Sequence, residues 1–198
     1  MMEAKPCGRL VVVSGPSGAG KTTVLQRVFA RCPVPLTRSI SATTRPPRPG
    51  ETDAVDYHFL SPEEFEARRK RGEFLEAFEV FGRGYWYGTL WSEVTSGLNA
   101  GKWVVLNIDV KGARAVMDRF PAAVTIFVRP SSRDELRRRL EGRGTETEEA
   151  IQQRLQQADT ELSQAHRYRH QVVNDDLDRA VNEICDILTD HWKASRND

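Results

Sequence analysis

Apolar residues come along this chain in two rhythms: short unbroken runs, and longer stretches where they recur every third or fourth position. Arg9 to Ser14 (RLVVVS) is a β-branched run that stops at Gly15, the pattern of a buried parallel strand. Lys21 to Cys32 follows with Val24, Leu25, Val28 and Phe29 along one side of a helix. Trp103 to Asp109 (WVVLNID) and Val124 to Val128 (VTIFV) repeat the strand pattern, with a helix around Ala113 to Arg119 between them. Ser61-Pro62-Glu63-Glu64 puts serine, proline and glutamate in helix-opening order, and Gly72 closes that helix. Ser132 and Thr145 each precede a glutamate by three residues and predict two further helix starts. A short VVN strand follows, then a helix striped by Leu177, Val181, Ile184 and Leu188 and capped by Asp175 or Asp176.

Strands alternating with helices predict an α/β fold with a parallel sheet covered on both faces. The stretches at 39–91 and 132–162 break that alternation and read as lobes grafted onto the sheet. Composition changes little: 39% hydrophobic and 29% charged residues describe an ordinary globular chain that can bury a core. No apolar run approaches the roughly 20 residues that span a bilayer. The opening MMEAKPCGRL carries an acid and no apolar stretch of a secretory leader. Cys7, Cys32 and Cys185 lack CxxC spacing and read as reduced thiols. Cytoplasmic residence is therefore expected. A net charge of +1 predicts neither a nucleic-acid nor a membrane partner.

The chemistry starts where the first strand ends. Gly15-Pro16-Ser17-Gly18-Ala19-Gly20-Lys21-Thr22 fits G-x-x-x-x-G-K-[ST], with the strand before it and the helix after it that this motif requires. Its glycines let backbone N–H groups curl around phosphate oxygens at a helix N-terminus. Lys21 reaches the β- and γ-phosphates and the Thr22 hydroxyl suits Mg²⁺. A nucleoside triphosphate is the expected ligand.

The second substrate must be read elsewhere. In "SISATTRPPRPGETDAVDYHF", Ser39 to Phe59, Arg45 and Arg48 stand three apart on a stretch stiffened by Pro46, Pro47 and Pro49. Proline chemistry predicts that this segment is neither a helix nor a central strand. Two guanidiniums at fixed separation suit a monophosphate, and Tyr57 and Tyr87 offer hydroxyls to the same group. Glu76, in GEFLEAFEVFG, is either the exposed position of an alternating strand or a binding carboxylate. The arginines Arg137, Arg138, Arg139 and Arg143 are a solvated helix face, a nucleic-acid patch or a mobile lid; the glycines flanking Arg143 favour the lid. His166 and His170 have an i, i+4 spacing that can bind metal, with no carboxylate–histidine pattern to support it.

"SGPSGAGKTT", "SISATTRPPRPGE", "DYHF", "GEFLE", "YGT", "NIDVKGA", "RLEGRGTETEE" and "VVNDDLD" together resemble guanylate kinase, from about Leu10 to Leu188. The resemblance implies a P-loop kinase fold with a core (8–38, 92–131 and 163–192), a GMP-binding lobe (39–91) and a helical lid (132–162). It implies Mg²⁺-dependent transfer of the γ-phosphoryl of ATP to GMP and dGMP. Arg45, Arg48, Tyr57 and Tyr87 would hold the GMP phosphate; Ser41, Glu76, Thr89 and Asp109 would surround the guanine. Gly15 to Thr22 with Thr23 would bind ATP, and Asn174 would lie near its adenine. Lys21, Arg45, Arg139, Arg143 and Arg154 would act on the transferring group. Thr22 would hold the metal, with Asp109 assisting through water. Asn107 stands where the family usually has a carboxylate, so a higher Mg²⁺ requirement is expected; Lys111 replaces a common glutamine, and GRGYWYGT is about two residues longer than usual. Two rivals are a guanylate-kinase-like scaffold module, which usually lacks an intact P-loop, and a kinase for another phosphorylated acceptor, which has no need of Glu76.

Overall fold

The computed structural model describes residues 8–80, 84–142 and 147–196. In chain order its elements begin β1 (Leu10–Ser14), α1 (Lys21–Arg31), β2 (Leu36–Arg38), β3 (Ser41–Thr43), β4 (His58–Phe59), α2 (Pro62–Lys70), β5 (Phe74–Val80) and β6 (Tyr85–Leu90). They continue α3 (Trp91–Asn99), β7 (Trp103–Asn107), α4 (Val110–Arg119), β8 (Val124–Arg129), α5 (Arg133–Glu141), α6 (Glu148–Leu162), β9 (His170–Val173) and α7 (Leu177–Ala194). Two units make up the chain: Met1–Val12 with Pro35–Ala123, and Val13–Val34 with Val124–Asp198.

In the first unit β2 lies parallel to β7, Leu36 opposite Trp103 and Arg38 opposite Val105. Trp103, Val104, Val105 and Leu106 are buried, as an unbroken apolar strand should be. The same unit holds a separate sheet in the order β4-β3-β6-β5. It packs Ala42 and Leu90 on Phe65 of α2, with Leu60, Phe74, Ala77 and Trp86 around them; the Phe65 and Phe74 rings stack at 4.5 Å. Ser61 caps α2 by accepting the Glu64 N–H at 3.1 Å, the predicted start.

In the second unit β8 and β9 are parallel, Ile126 opposite His170 and Arg129 opposite Val173. The α1 stripe appears as predicted, with Val24, Leu25 and Val28 buried. In α7, Ala180, Val181, Ile184 and Leu188 are buried, and Arg27 and Arg31 of α1 both reach Asp178 at the start of α7. A smaller core of Leu136, Leu140, Ile151, Leu155 and Ala158 joins α5 to α6. The parallel strands are β2 beside β7 in the first unit and β8 beside β9 in the second, with helices around them. This is an α/β P-loop kinase fold.

Two expectations are corrected, and one pair of alternatives is decided. Ser41–Thr43 is a central strand, flanked by β4 and β6, because the prolines begin only at Pro46 and leave the preceding N–H groups free to pair. The cap of α6 is Thr147, which accepts the Ala150 N–H at 3.3 Å; Thr145 lies outside the described residues. Asp176 rather than Asp175 caps α7, accepting the Arg179 N–H at 2.8 Å. Among the described residues no helix is long and apolar enough to cross a membrane.

Candidate active site

The phosphate loop belongs to the second unit. Gly15 has φ +141, and a Cβ there would lie 2.0 Å from the Val128 carbonyl oxygen, so only glycine lets the loop leave β1 this close to β8. Gly20 caps α1 in the left-handed region at φ 84, and a Cβ there would meet Asn174 Nδ2 at 2.4 Å. Ala19, buried, closes the turn by donating its N–H to the Pro16 carbonyl at 3.1 Å. Lys21 Nζ curls back over the loop and donates to the carbonyls of Gly15 (2.6 Å) and Pro16 (2.9 Å). Thr22 and Thr23 are exposed in the first turn of α1, which contains no acid to offset the positive helix end.

Asn174 and Arg139 brace this loop. Asn174 is buried; its Nδ2 donates to the Ala19 carbonyl at 2.8 Å and its own carbonyl accepts Arg139 Nη2 at 2.6 Å. Arg139 Nε is held by Glu135 Oε1 at 2.8 Å. Leu136 and Leu140, one helical turn apart, crowd the place where a Gly18 Cβ would sit, at 2.9 and 3.2 Å. The structure therefore puts Asn174 and Arg139 against the loop backbone itself. Arg154 is half-buried in α6, and Arg143 lies outside the described residues.

The candidate acceptor residues belong to the first unit and are ordered by register. Ser41 on β3 faces Thr89 on β6, and Thr89 faces Glu76 on β5, so three predicted guanine-side residues form one row across the sheet. Tyr87 sits two residues along β6, opposite Thr43. A register shift between Phe74 and Glu76 breaks the alternation of β5 and buries Leu75 and Glu76 in succession. That bulge turns Glu76 inward. The exposed alternative for Glu76 is thereby removed; it is only 8% accessible, and its Oε1 accepts the Thr89 hydroxyl at 2.7 Å.

Burial, with the nearby Asp109 charge adding to it, pushes the Glu76 carboxyl up to about 7 against the pull of the Thr89 bonds. Asp109 caps α4, its Oδ1 accepting the Gly112 N–H at 2.7 Å. Gly112 makes the room: a Cβ there would lie 2.7 Å from Glu76 Oε2.

Two residues past β3, Arg45 is buried, its guanidinium 5.4 and 5.7 Å from the ring centres of Tyr57 and Phe59. Its Nε donates to the Tyr87 hydroxyl at 3.2 Å. Burial, outweighing the Arg45 charge, raises the Tyr57 phenol above its usual range, so it stays a neutral donor. Arg48 is exposed three residues away.

Among the described residues no group of three or more His, Cys, Asp or Glu side chains could hold a metal ion. His166 Nδ1 pairs with the Ser163 carbonyl at 2.8 Å, and His170 Nε2 meets His191 Nε2 at 3.0 Å, so the i, i+4 histidines do not converge. Thr22 and Thr23 present exposed hydroxyls in the first turn of α1, where the sequence expects Mg²⁺.

Sequence reasoning missed Glu51 and Gly112. Glu51 grips Arg45 through both carboxylate oxygens at 2.9 Å, and its only sequence signal is its place at the end of RPPRPGE. Gly112 is legible as a glycine in the third position of a helix, where alanine would be favoured by about 1 kcal/mol unless space were needed.

Comparison with known proteins identifies the family. The guanylate kinase family profile matches residues 7–191. A guanylate kinase of Rhodopirellula baltica is 55% identical over 189 residues, covering 95% of this chain and 90% of that protein. One from Symbiobacterium thermophilum is 46% identical over 187 residues, covering 94% and 87%. The crystal structure of guanylate kinase from Anaplasma phagocytophilum superposes with a TM-score of 0.79 at 31% identity, covering 97% of this chain and 90% of that one. With a P-loop bounded by the required strand and helix, a family profile spanning residues 7–191 and relatives at this identity over nearly its whole length, the chain belongs to the guanylate kinase family.

Proposed function

We propose that this chain is an ATP:GMP phosphotransferase that converts GMP, and dGMP as a second acceptor, to the diphosphate. The observation that carries the acceptor assignment is the row Ser41, Thr89 and Glu76, with the Glu76 carboxylate buried at its end. Guanine presents two adjacent donors, N1–H and the 2-amino group, and one ionised carboxylate accepts both. Adenine has an acceptor at N1 and no 2-amino group, so a buried carboxylate repels it.

Arg45, Arg48, Tyr57 and Tyr87 bind the acceptor phosphate; Tyr87, which Arg45 touches, lies two residues along β6 from Thr89 of the base row. Two residues along a strand cover about 7 Å, enough to separate base from phosphate contacts. The loop Gly15–Gly20 and Lys21 cradle the ATP phosphates, and Arg139, Arg143 and Arg154 add positive charge to the transferring group. Phosphoryl transfer needs positioning and charge neutralisation rather than a protein nucleophile, which this donor set supplies. Thr22 is the residue that would hold Mg²⁺; one protein oxygen suffices because this ion completes its shell with substrate phosphates and water. When bound it neutralises charge on the phosphates. Asn174 supports the loop beneath the nucleotide.

The same reading divides the chain into a core (8–38, 92–131 and 163–192), a GMP-binding lobe (39–91) and a lid (132–162), and places the protein in the cytoplasm with its substrates. A coupled assay of ATP consumption with GMP, dGMP, AMP, CMP and UMP tests it. GMP and dGMP should react and AMP should be slower by roughly 10⁴-fold, the rejection expected where a required donor is missing. Comparable rates with AMP and GMP would overturn the base assignment.

A further inference from the structure

Arg45 has five guanidinium N–H groups to give. Nε donates to the Tyr87 hydroxyl at 3.2 Å. Nη1 donates to the Pro46 carbonyl at 2.7 Å and to Glu51 Oε2 at 2.9 Å, and Nη2 donates to Glu51 Oε1 at 2.9 Å. Among the described residues that leaves one Nη2 N–H. The two-pronged face with which arginine usually grasps a phosphate is already filled by a carboxylate.

Glu51 is tied to its own loop as well. Its Oε2 accepts the Arg48 backbone N–H at 2.7 Å, and its backbone N–H donates to the Arg48 carbonyl at 3.0 Å. The ring of contacts fixes the turn that holds both arginines. The bond from Arg45 keeps the Glu51 carboxyl below its usual range, despite the opposing effect of burial. The Arg48 guanidinium, by contrast, makes no hydrogen bond or ion pair among the described residues.

We infer that Glu51 is the positioning residue of the acceptor-phosphate site. It locks Arg45 so that this buried cation offers a phosphate monoester one N–H, and it sets the backbone from which Arg48 delivers a whole guanidinium fork. This rests on the reading that a phosphate monoester binds at Arg45, Arg48, Tyr57 and Tyr87. The opposite role, a carboxylate plug that the phosphate must push aside, fits less well: Glu51 would have to break bonds to Arg45 and to the Arg48 amide at once. The two roles predict opposite signs.

The test uses the full chain with Glu51→Gln, and with Glu51→Asp as the variant to be judged on the same criteria should the glutamine form fail to fold. Glu51→Gln should raise KM for GMP about tenfold, the scale of a charge-assisted pair, with kcat changed less than about twofold. Inhibition by guanosine, which has the base and no phosphate, and KM for ATP should stay the same. In an Arg45→Lys background the same substitution should cost less than about twofold, since lysine cannot receive both prongs. An unchanged or lowered KM for GMP would overturn the inference, as would an equal loss for guanosine or a full cost persisting beside Arg45→Lys. A wild-type chain that phosphorylates no GMP would instead overturn the acceptor reading, and this role with it.

Discussion

The loop from Gly15 to Gly20 offers main-chain N–H groups, one lysine and a helix end, whereas the sheet of β3, β5 and β6 offers side chains. In the proposed reading the first, contiguous in sequence, takes what all nucleoside triphosphates share. The second, gathering Ser41, Glu76, Thr89 and Asp109 from four separated segments, is proposed to distinguish one base from another. Their tolerances differ accordingly. The loop depends on backbone geometry that only glycine permits at Gly15 and Gly20. The sheet depends on register, on a bulge at Leu75 and on empty space at Gly112.

That contrast predicts separable defects. Lys21→Ala should give the largest one, a fall in kcat of about 10³-fold or more, because it removes the loop cation proposed to neutralise the transferring group. GMP affinity, measured by equilibrium binding, should stay within about twofold; a parallel loss of GMP binding would show that the two sites are not independent. Gly112→Ala should do the reverse. Its Cβ would press on Glu76 Oε2, so KM for GMP should rise about tenfold while KM for ATP is unchanged, although alanine favours the helix by about 1 kcal/mol. The smallest effect is expected at Asp178, exposed with its partners Arg27 and Arg31. Asp178→Ala should leave thermal denaturation nearly unchanged and both KM values alone.

The same contrast explains what could be read in advance. The loop, the strands around Val11, Val104 and Ile126, and the helices at Val24 and Ile184 follow from local pattern, because each buries an unbroken run or a single stripe. The acceptor sheet was hidden because its strands are short, polar and half-buried: β3 is SAT and β6 is YWYGTL. Glu76 was ambiguous by alternation, since the bulge that buries it cannot be seen in a one-residue pattern. Resemblance to guanylate kinases named Ser41, Thr89 and Tyr87; register explains why those three are neighbours. Glu51 escaped notice because its partner Arg45 was already given to the phosphate.

Protonation of Glu76 offers the sharpest test of how the base is chosen. Its carboxyl is raised from 4.5 to about 7 by burial, with the Asp109 charge adding to it. For folding, a raised value means that this group's contribution to stability is complete below about 4.5 and is lost as pH rises through about 7. For GMP the sign reverses, because the two guanine donors require the ionised carboxylate. GMP binding must therefore expel a proton in acid. The measurement is kcat/KM for GMP between pH 5.5 and 8.5, roughly one and a half units either side of that value, in the wild-type chain and in Glu76→Gln. The ratio of the two cancels the phosphate's own ionisation near pH 6. That ratio should fall by about tenfold per unit below pH 7 and level off above it, with Glu76→Gln at least about 10²-fold weaker at the plateau. A ratio that does not change with pH, or a Glu76→Gln chain that still prefers GMP to AMP as strongly as the wild type, would contradict guanine recognition by this carboxylate.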